Sequence, residues 1–136
     1  GLAAAFACTG LLDTPFGETA AKAATTKAAL PILAMLAKAA LCNALVCLAV
    51  WLTFSARDTT GKILAVLWPI SSFVLLGLEH SIANMFLFPL GILSGADVSA
   101  TAALTNLCWV TLGNLLGGAG GVALAYRYAY LGGKKV

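Results

Sequence analysis

Residues 63–93 form a single apolar stretch of 31 residues. As one continuous helix rising 1.5 Å per residue it would be roughly 46 Å long, against a bilayer hydrocarbon core of about 30 Å. Such a segment must tilt steeply or break. A break is the better reading, because Pro69, Ser71, Ser72, Gly77 and the pair Glu79 and His80 crowd its middle. Irregular backbone at membrane depth survives only where it is buried in protein or lines a wet cavity, and interrupted helices recur at midplane solute sites. The stretch is therefore expected to line a pore. Composition places it in a membrane: 61% of the 136 residues are hydrophobic and only 10% charged, where a soluble domain carries roughly a quarter.

The rest of the chain falls around this element as one membrane domain over 1–136. Residues 1–12 read as the stub of a longer helix, and 13–27 as a polar connector with a helix-prone Ala/Lys run from Thr19 to Lys27. Residues 28–54 form the first full span, with Pro31 in the first turn, where its missing N–H matters little. A charged turn with Arg57 and Asp58 leads into the broken span, 63–93. The last span covers 100–130, and 131–136 is a tail. The fold class is thus all-α: three transmembrane helices plus a partial one, the second full span broken. Gly113, Gly117 and Gly121 recur every four residues in the last span, a register that lets another helix pack closely.

Basic residues set the expected orientation. Arg57 and Lys62 share a side with Arg127, Lys134 and Lys135, against Lys22 and Lys27 opposite, which puts the C-terminus on the cytoplasmic, stromal or matrix side. Trp51, Trp68, Tyr126, Tyr128 and Tyr130 fit interfacial anchoring, with core packing an equal alternative for the two tryptophans. The sequence begins at Gly1 rather than Met, so an upstream segment is expected.

Several classes are excluded. A net charge of +3, scattered along the chain, is too weak for nucleic acid. Cys8, Cys42, Cys47 and Cys108 sit singly in apolar runs, which suits small buried hydrophobes rather than disulfides or a metal site. No nucleophile–base pair or phosphate loop suggests an enzyme, and 117–121 is a glycine run inside an apolar span. No cofactor or metal is expected.

Polar groups within the spans are few: Lys38, Asn43, Glu79, His80, Asn84 and Asn114. An ionisable group in hydrocarbon is costly enough to be a functional candidate by default. His80, the single histidine, lies beside the presumed break, and an imidazole is the side chain best suited to exchanging a proton with a small anion near neutral pH. The alternative, equally weighted, is a histidine satisfied by backbone groups at a helix break. Glu79 reads as a structural partner at a helix start, and Lys38 as a snorkelling side chain or one paired with another helix.

Three separated motifs carry a family resemblance. Asn43-Ala-Leu-Val-Cys-Leu-Ala-Val-Trp51 comes first. Gly77-Leu-Glu-His-Ser-Ile-Ala-Asn-Met-Phe86 follows, running into Pro89-Leu-Gly-Ile92, and Val110-Thr-Leu-Gly-Asn-Leu-Leu-Gly-Gly118 is last. In this order they closely resemble the second half of the formate/nitrite transporter family, from the end of its third helix through its sixth. The resemblance implies half of an aquaporin-like six-helix protomer with two inverted halves. It also implies a homopentamer in which each protomer has its own pore for small monovalent anions and protons. It places the central histidine at His80, a lysine and an asparagine near the pore at Lys27 and Asn43, and hydrophobic constrictions at Phe73 in the break and Val46. Trp109 stands where the family usually has proline, which is expected to alter the start of the sixth helix or its contacts.

The implied function is transport of formate, nitrite or similar anions across a bacterial inner membrane or an organelle envelope. Lys27 would concentrate the anion at the vestibule, and protonation with His80 as donor or electrostatic partner would let a neutral acid pass Phe73 and Val46. The alternative is a truncated, non-transporting structural subunit among other membrane subunits and lipid, because the half that would complete the pore is missing.

Overall fold

A computed structural model describes residues 2–131, and Lys134 and Lys135 of the expected tail lie outside the described residues. All regular elements there are helical. Helix α1 (Leu2–Ala7) and a 3₁₀ turn, Leu11–Asp13, precede α2 (Pro15–Ala28), and α3 (Ile32–Ser55) is the first long apolar helix. Helix α4 (Thr59–Leu75) and α5 (Ser81–Leu93) are separated by residues 76–80, so the long apolar stretch is two half-helices. Helix α6 (Ala100–Leu131) runs 32 residues. It is α-helical to Leu115, widens to π turns over Leu116–Ala123 and returns to α over Leu124–Leu131.

Local chemistry accounts for the boundaries. Thr14 caps α2, its hydroxyl accepting from Phe16 N, with Pro15 at the first helical position, where a missing N–H is harmless. Asp58 caps α4 by accepting from Gly61 N at 2.8 Å, and Ser99 caps α6 by accepting from Ala102 N at 3.1 Å. Pro69 sits inside α4 without ending it. The stop comes later, at Gly77, whose φ of 59° is left-handed and is cheap only for glycine. There Leu78 N donates to Phe73 O and Gly77 N to Val74 O, the paired bonds of a Schellman motif. Phe73, expected in the break, therefore lies on the last turn of α4.

Residues 13–27, expected as a polar connector with a helix-prone run from Thr19 to Lys27, hold most of α2, a packed helix of 14 residues. Gly17, Ala20 and Ala24 make its buried face, and α5 approaches so closely that a Cβ on Gly91 would stand 3.0 Å from Ala20 O and collide with the Ala24 methyl. Small residues on one face permit that approach. Ala24, Phe88 and Ala103 form one core cluster between α2, α5 and α6, and Met35, Ala39 and Val110 form another between α3 and α6. Trp109 packs on the second cluster from the third turn of a regular helix. The start of α6 at Ala100 is therefore undisturbed.

Two helices, Ile32–Ser55 and Ala100–Leu131, are long and apolar enough to cross a membrane, while α4 and α5 are each shorter. Leu33, Leu41, Phe54, Trp68 and Leu75 stand exposed on α3 and α4, as surfaces in hydrocarbon require. Cys42 is buried, whereas Cys8 and Cys108, expected as buried hydrophobes, are exposed on outward faces.

Candidate functional site

The break between α4 and α5 leaves backbone groups without helical partners, and side chains from three other helices take them. Lys38 Nζ on α3 donates to Gly77 O at 3.3 Å, and Lys27 Nζ on α2 to Leu78 O at 3.4 Å. Asn114 Nδ2 on α6 donates to Glu79 O at 3.0 Å and to Ala39 O at 2.9 Å, while its Oδ1 accepts from Ser81 N at 2.9 Å. The carbonyls of 77, 78 and 79 are thus each held by a side-chain donor. Non-helical backbone at membrane depth needs such partners, because no bulk water reaches it.

Below the break lies a buried polar chain. Lys27 Nζ and Glu79 Oε1 form an ion pair at 2.5 Å, with the Glu79 side chain 1% exposed. Glu79 Oε2 accepts from Asn84 Nδ2 at 2.7 Å, Asn84 Nδ2 also donates to Asn106 Oδ1 at 2.9 Å, and Asn106 Nδ2 closes the ring on Lys27 O at 3.0 Å. A carboxylate is acceptor-only, so it fixes which way both amides point. That orientation leaves Asn84 Oδ1 buried with no donor among the described residues. Such an atom calls for a donor from water or a solute.

His80 caps α5: its Nδ1 accepts from Ala83 N at 3.4 Å. In the neutral imidazole the other nitrogen then carries the hydrogen, leaving Nε2–H as a donor. Phe73 stacks on the His80 ring, centroids 5.7 Å apart and planes 23° apart. These two rings, with Gly77, Leu78 and Asn84, line a cavity of about 290 Å³ that Lys27 also reaches. The structure thus gathers Lys27, Phe73 and His80, expected from sequence, with Asn84, which was noticed only as an intramembrane polar residue. Asn106 was not singled out; an asparagine inside an apolar helix was the available signal.

Asn43 and Val46 lie elsewhere. Asn43 Nδ2 donates to Asn114 O at 2.6 Å, where the π turns relax the helical bonding of α6. Val46 lines a second, apolar cavity of about 540 Å³ between α3 and the end of α6, walled by Val50, Trp51, Val122 and Tyr126. Between the two sites α6 presses on α3. A Cβ on Gly113 would lie 2.7 Å from Leu36 O, one on Gly117 would overlap the Ala40 backbone, and one on Gly118 would overlap the Asn43 amide. Gly121, expected on the same face, meets no other helix within 4 Å. The wider i→i+5 turns from Leu116 onward mean that a four-residue step no longer returns to α3.

Known proteins match most of the length of this chain. A family model described as formate/nitrite transporter matches residues 1–128. The chain is 50% identical over 90 residues to a probable formate transporter of Methanothermobacter thermautotrophicus, covering 66% of this chain and 33% of that protein. It is 42% identical over 120 residues to the nitrite transporter NirC of Escherichia coli (strain K12), covering 87% and 43%. A solved structure titled a pentameric formate channel with formate bound superposes with a TM-score of 0.76 at 37% identity, covering 85% of this chain and 53% of that one. The chain therefore spans between a third and a half of the length of these two curated relatives.

Proposed function

The chain belongs to the formate/nitrite transporter family, a family of membrane channels and transporters, and from that premise we propose that it carries one half of a pore for small monovalent anions. The observation that carries the proposal is the cavity between His80 and Phe73. It brings a donor nitrogen and an apolar ring together beside Asn84, whose buried Oδ1 has no donor among the described residues. A bare anion cannot cross a dry apolar ring, because an uncompensated charge in a low dielectric is prohibitively unfavourable. Proton transfer from His80 resolves this: the ring takes up a proton from water at Nδ1, giving up the bond from Ala83 N, and the imidazolium passes its Nε2 proton to the anion, so that the neutral acid crosses Phe73 and then Val46.

Asn43 acts in this reading through Asn114, holding α6 against α3 beside the pore, and Lys27 holds Glu79 so that the start of α5 keeps its place. The full protein is a homopentamer with its C-terminus on the cytoplasmic, stromal or matrix side, and its substrates are formate, nitrite or anions of the same size and charge. The pentamer is supported by the bound-formate relative, and the side by the basic residues Arg57, Lys62 and Arg127 near the span ends.

Formate and nitrite flux in proteoliposomes, for the protein that carries this chain, tests the proposal. His80→Phe should abolish the pH dependence of flux from about pH 5 to about pH 8. An unchanged pH profile removes His80 from the mechanism, and no flux in the wild type favours a non-transporting structural subunit.

A further inference from the structure

The charge balance of the break points to a residue outside the three motifs that carry the family resemblance. Lys27 and Glu79 neutralise each other in their ion pair. The two half-helices that meet here also cancel, α4 presenting the negative end of its dipole and α5 the positive end of its own, each worth about half a charge. One group is left over. Lys38 Nζ sits on Gly77 O, beyond the last turn of α4, with no carboxylate in ion-pair range among the described residues. Its partner is a neutral carbonyl, so its charge is not cancelled.

We propose that Lys38, rather than Lys27, supplies the net positive charge of the break and thereby sets the affinity of the pore for its anion. Its position suits the task in two respects. The ammonium sits at the carbonyl end of α4, so the positive end of α5 is left to act on an anion approaching His80. It also stands one hydrogen bond from Gly77, a residue that lines the cavity with Phe73 and His80. Within roughly 10 Å and at an effective dielectric near 20, a unit charge changes the occupancy of an oppositely charged ligand by on the order of tenfold. Salt screens such a charge little at a partly buried site.

This inference rests on the transport reading, and the test separates the two. Half-saturation and maximum rate of nitrite flux are measured for the whole protein and for Lys38→Arg, Lys38→Gln and Lys38→Met, alongside equilibrium nitrite binding in detergent. Gln keeps an N–H donor for Gly77 O without the charge, and Met removes both. The expected result is that Gln and Met each weaken half-saturation and binding on the order of tenfold with little change in maximum rate, while Arg stays near the wild type. If Gln matches the wild type, Lys38 is only a helix cap and the proposal is overturned. If Met fails to assemble, the comparison of Gln with Arg decides alone. A wild type that neither transports nor binds nitrite overturns the transport reading, and this inference with it.

Discussion

The two ends of the α3–α6 pair are held by different physics. At the break, Lys27, Glu79, Asn84, Asn106 and Asn114 interlock through hydrogen bonds among largely buried side chains. At the far end, along the π turns and the last α-helical turns of α6, the two helices flank an apolar cavity of about 540 Å³. Contact there is aromatic, Trp51 lying 4.1 Å from Tyr126 and Tyr126 stacking on Tyr130 at 5.8 Å. Directional bonds in a low dielectric fix a single geometry, and a misplaced group there is heavily penalised. Ring contacts tolerate sliding. The break is thus the rigid end of the chain, as a site that must hold a proton donor against a constriction requires.

The sharpest way to break the contrast is to remove one partner of the buried ion pair. Glu79→Leu strands the Lys27 ammonium and leaves the Asn84 amide without its carboxylate, so thermal or denaturant unfolding in detergent should show a loss of about 3–5 kcal/mol. The double change Lys27→Met with Glu79→Leu should recover a large part of that, because two apolar groups satisfy a buried site better than one stranded charge. A single variant as stable as the wild type would mean that the polar chain is not what stiffens this end.

Much of the break was legible in sequence, because 31 apolar residues exceed the membrane and His80 stands alone. Its exact limit was not. Pro69 is the stronger sequence breaker, yet the helix passes it, and the stop is set by the left-handed turn at Gly77, which the sequence offers only as one of several candidate breakers between Pro69 and His80. Helix α2 was half visible, since Lys22 and Lys27 marked a polar run, but its packing face is Gly17, Ala20 and Ala24, residues too small to register as a hydrophobic stripe. Lys38 was visible only as a misplaced charge. Its partner lies 39 residues away, and no local pattern encodes that distance. The π widening had no signal beyond the glycine run, so Gly121 was placed on a face from which the widened turns rotate it.

The boundary between the two ends is the glycine contact, and it yields an intermediate effect. Gly117→Ala puts a methyl into the Ala40 backbone, which cannot swing aside as a side chain would; overpacking of this kind costs about 1–3 kcal/mol. Gly121→Ala enters open space and should leave stability unchanged or raise it by up to about 1 kcal/mol, the helix-propensity gain. Melting temperatures of the two variants, measured side by side, test whether the π turns end the close packing where the structure puts it. Equal losses would mean that α6 continues against α3 past Gly118.

The smallest effect belongs to the aromatic end. Tyr126→Leu removes the ring that faces Trp51 and stacks on Tyr130 but keeps apolar volume, so the loss should be near the value of an aromatic pair, about 0.5–1.5 kcal/mol. Trp51 still meets Phe54 edge-on at 6.0 Å, which limits the damage. The change should also leave the pH profile of flux untouched, since Tyr126 shares no hydrogen bond with the break. Thermal unfolding in detergent measures the loss. A shift in the pH profile with Tyr126→Leu would mean that the far end is coupled to His80 through α6, and the separation between the rigid and the compliant end would fall.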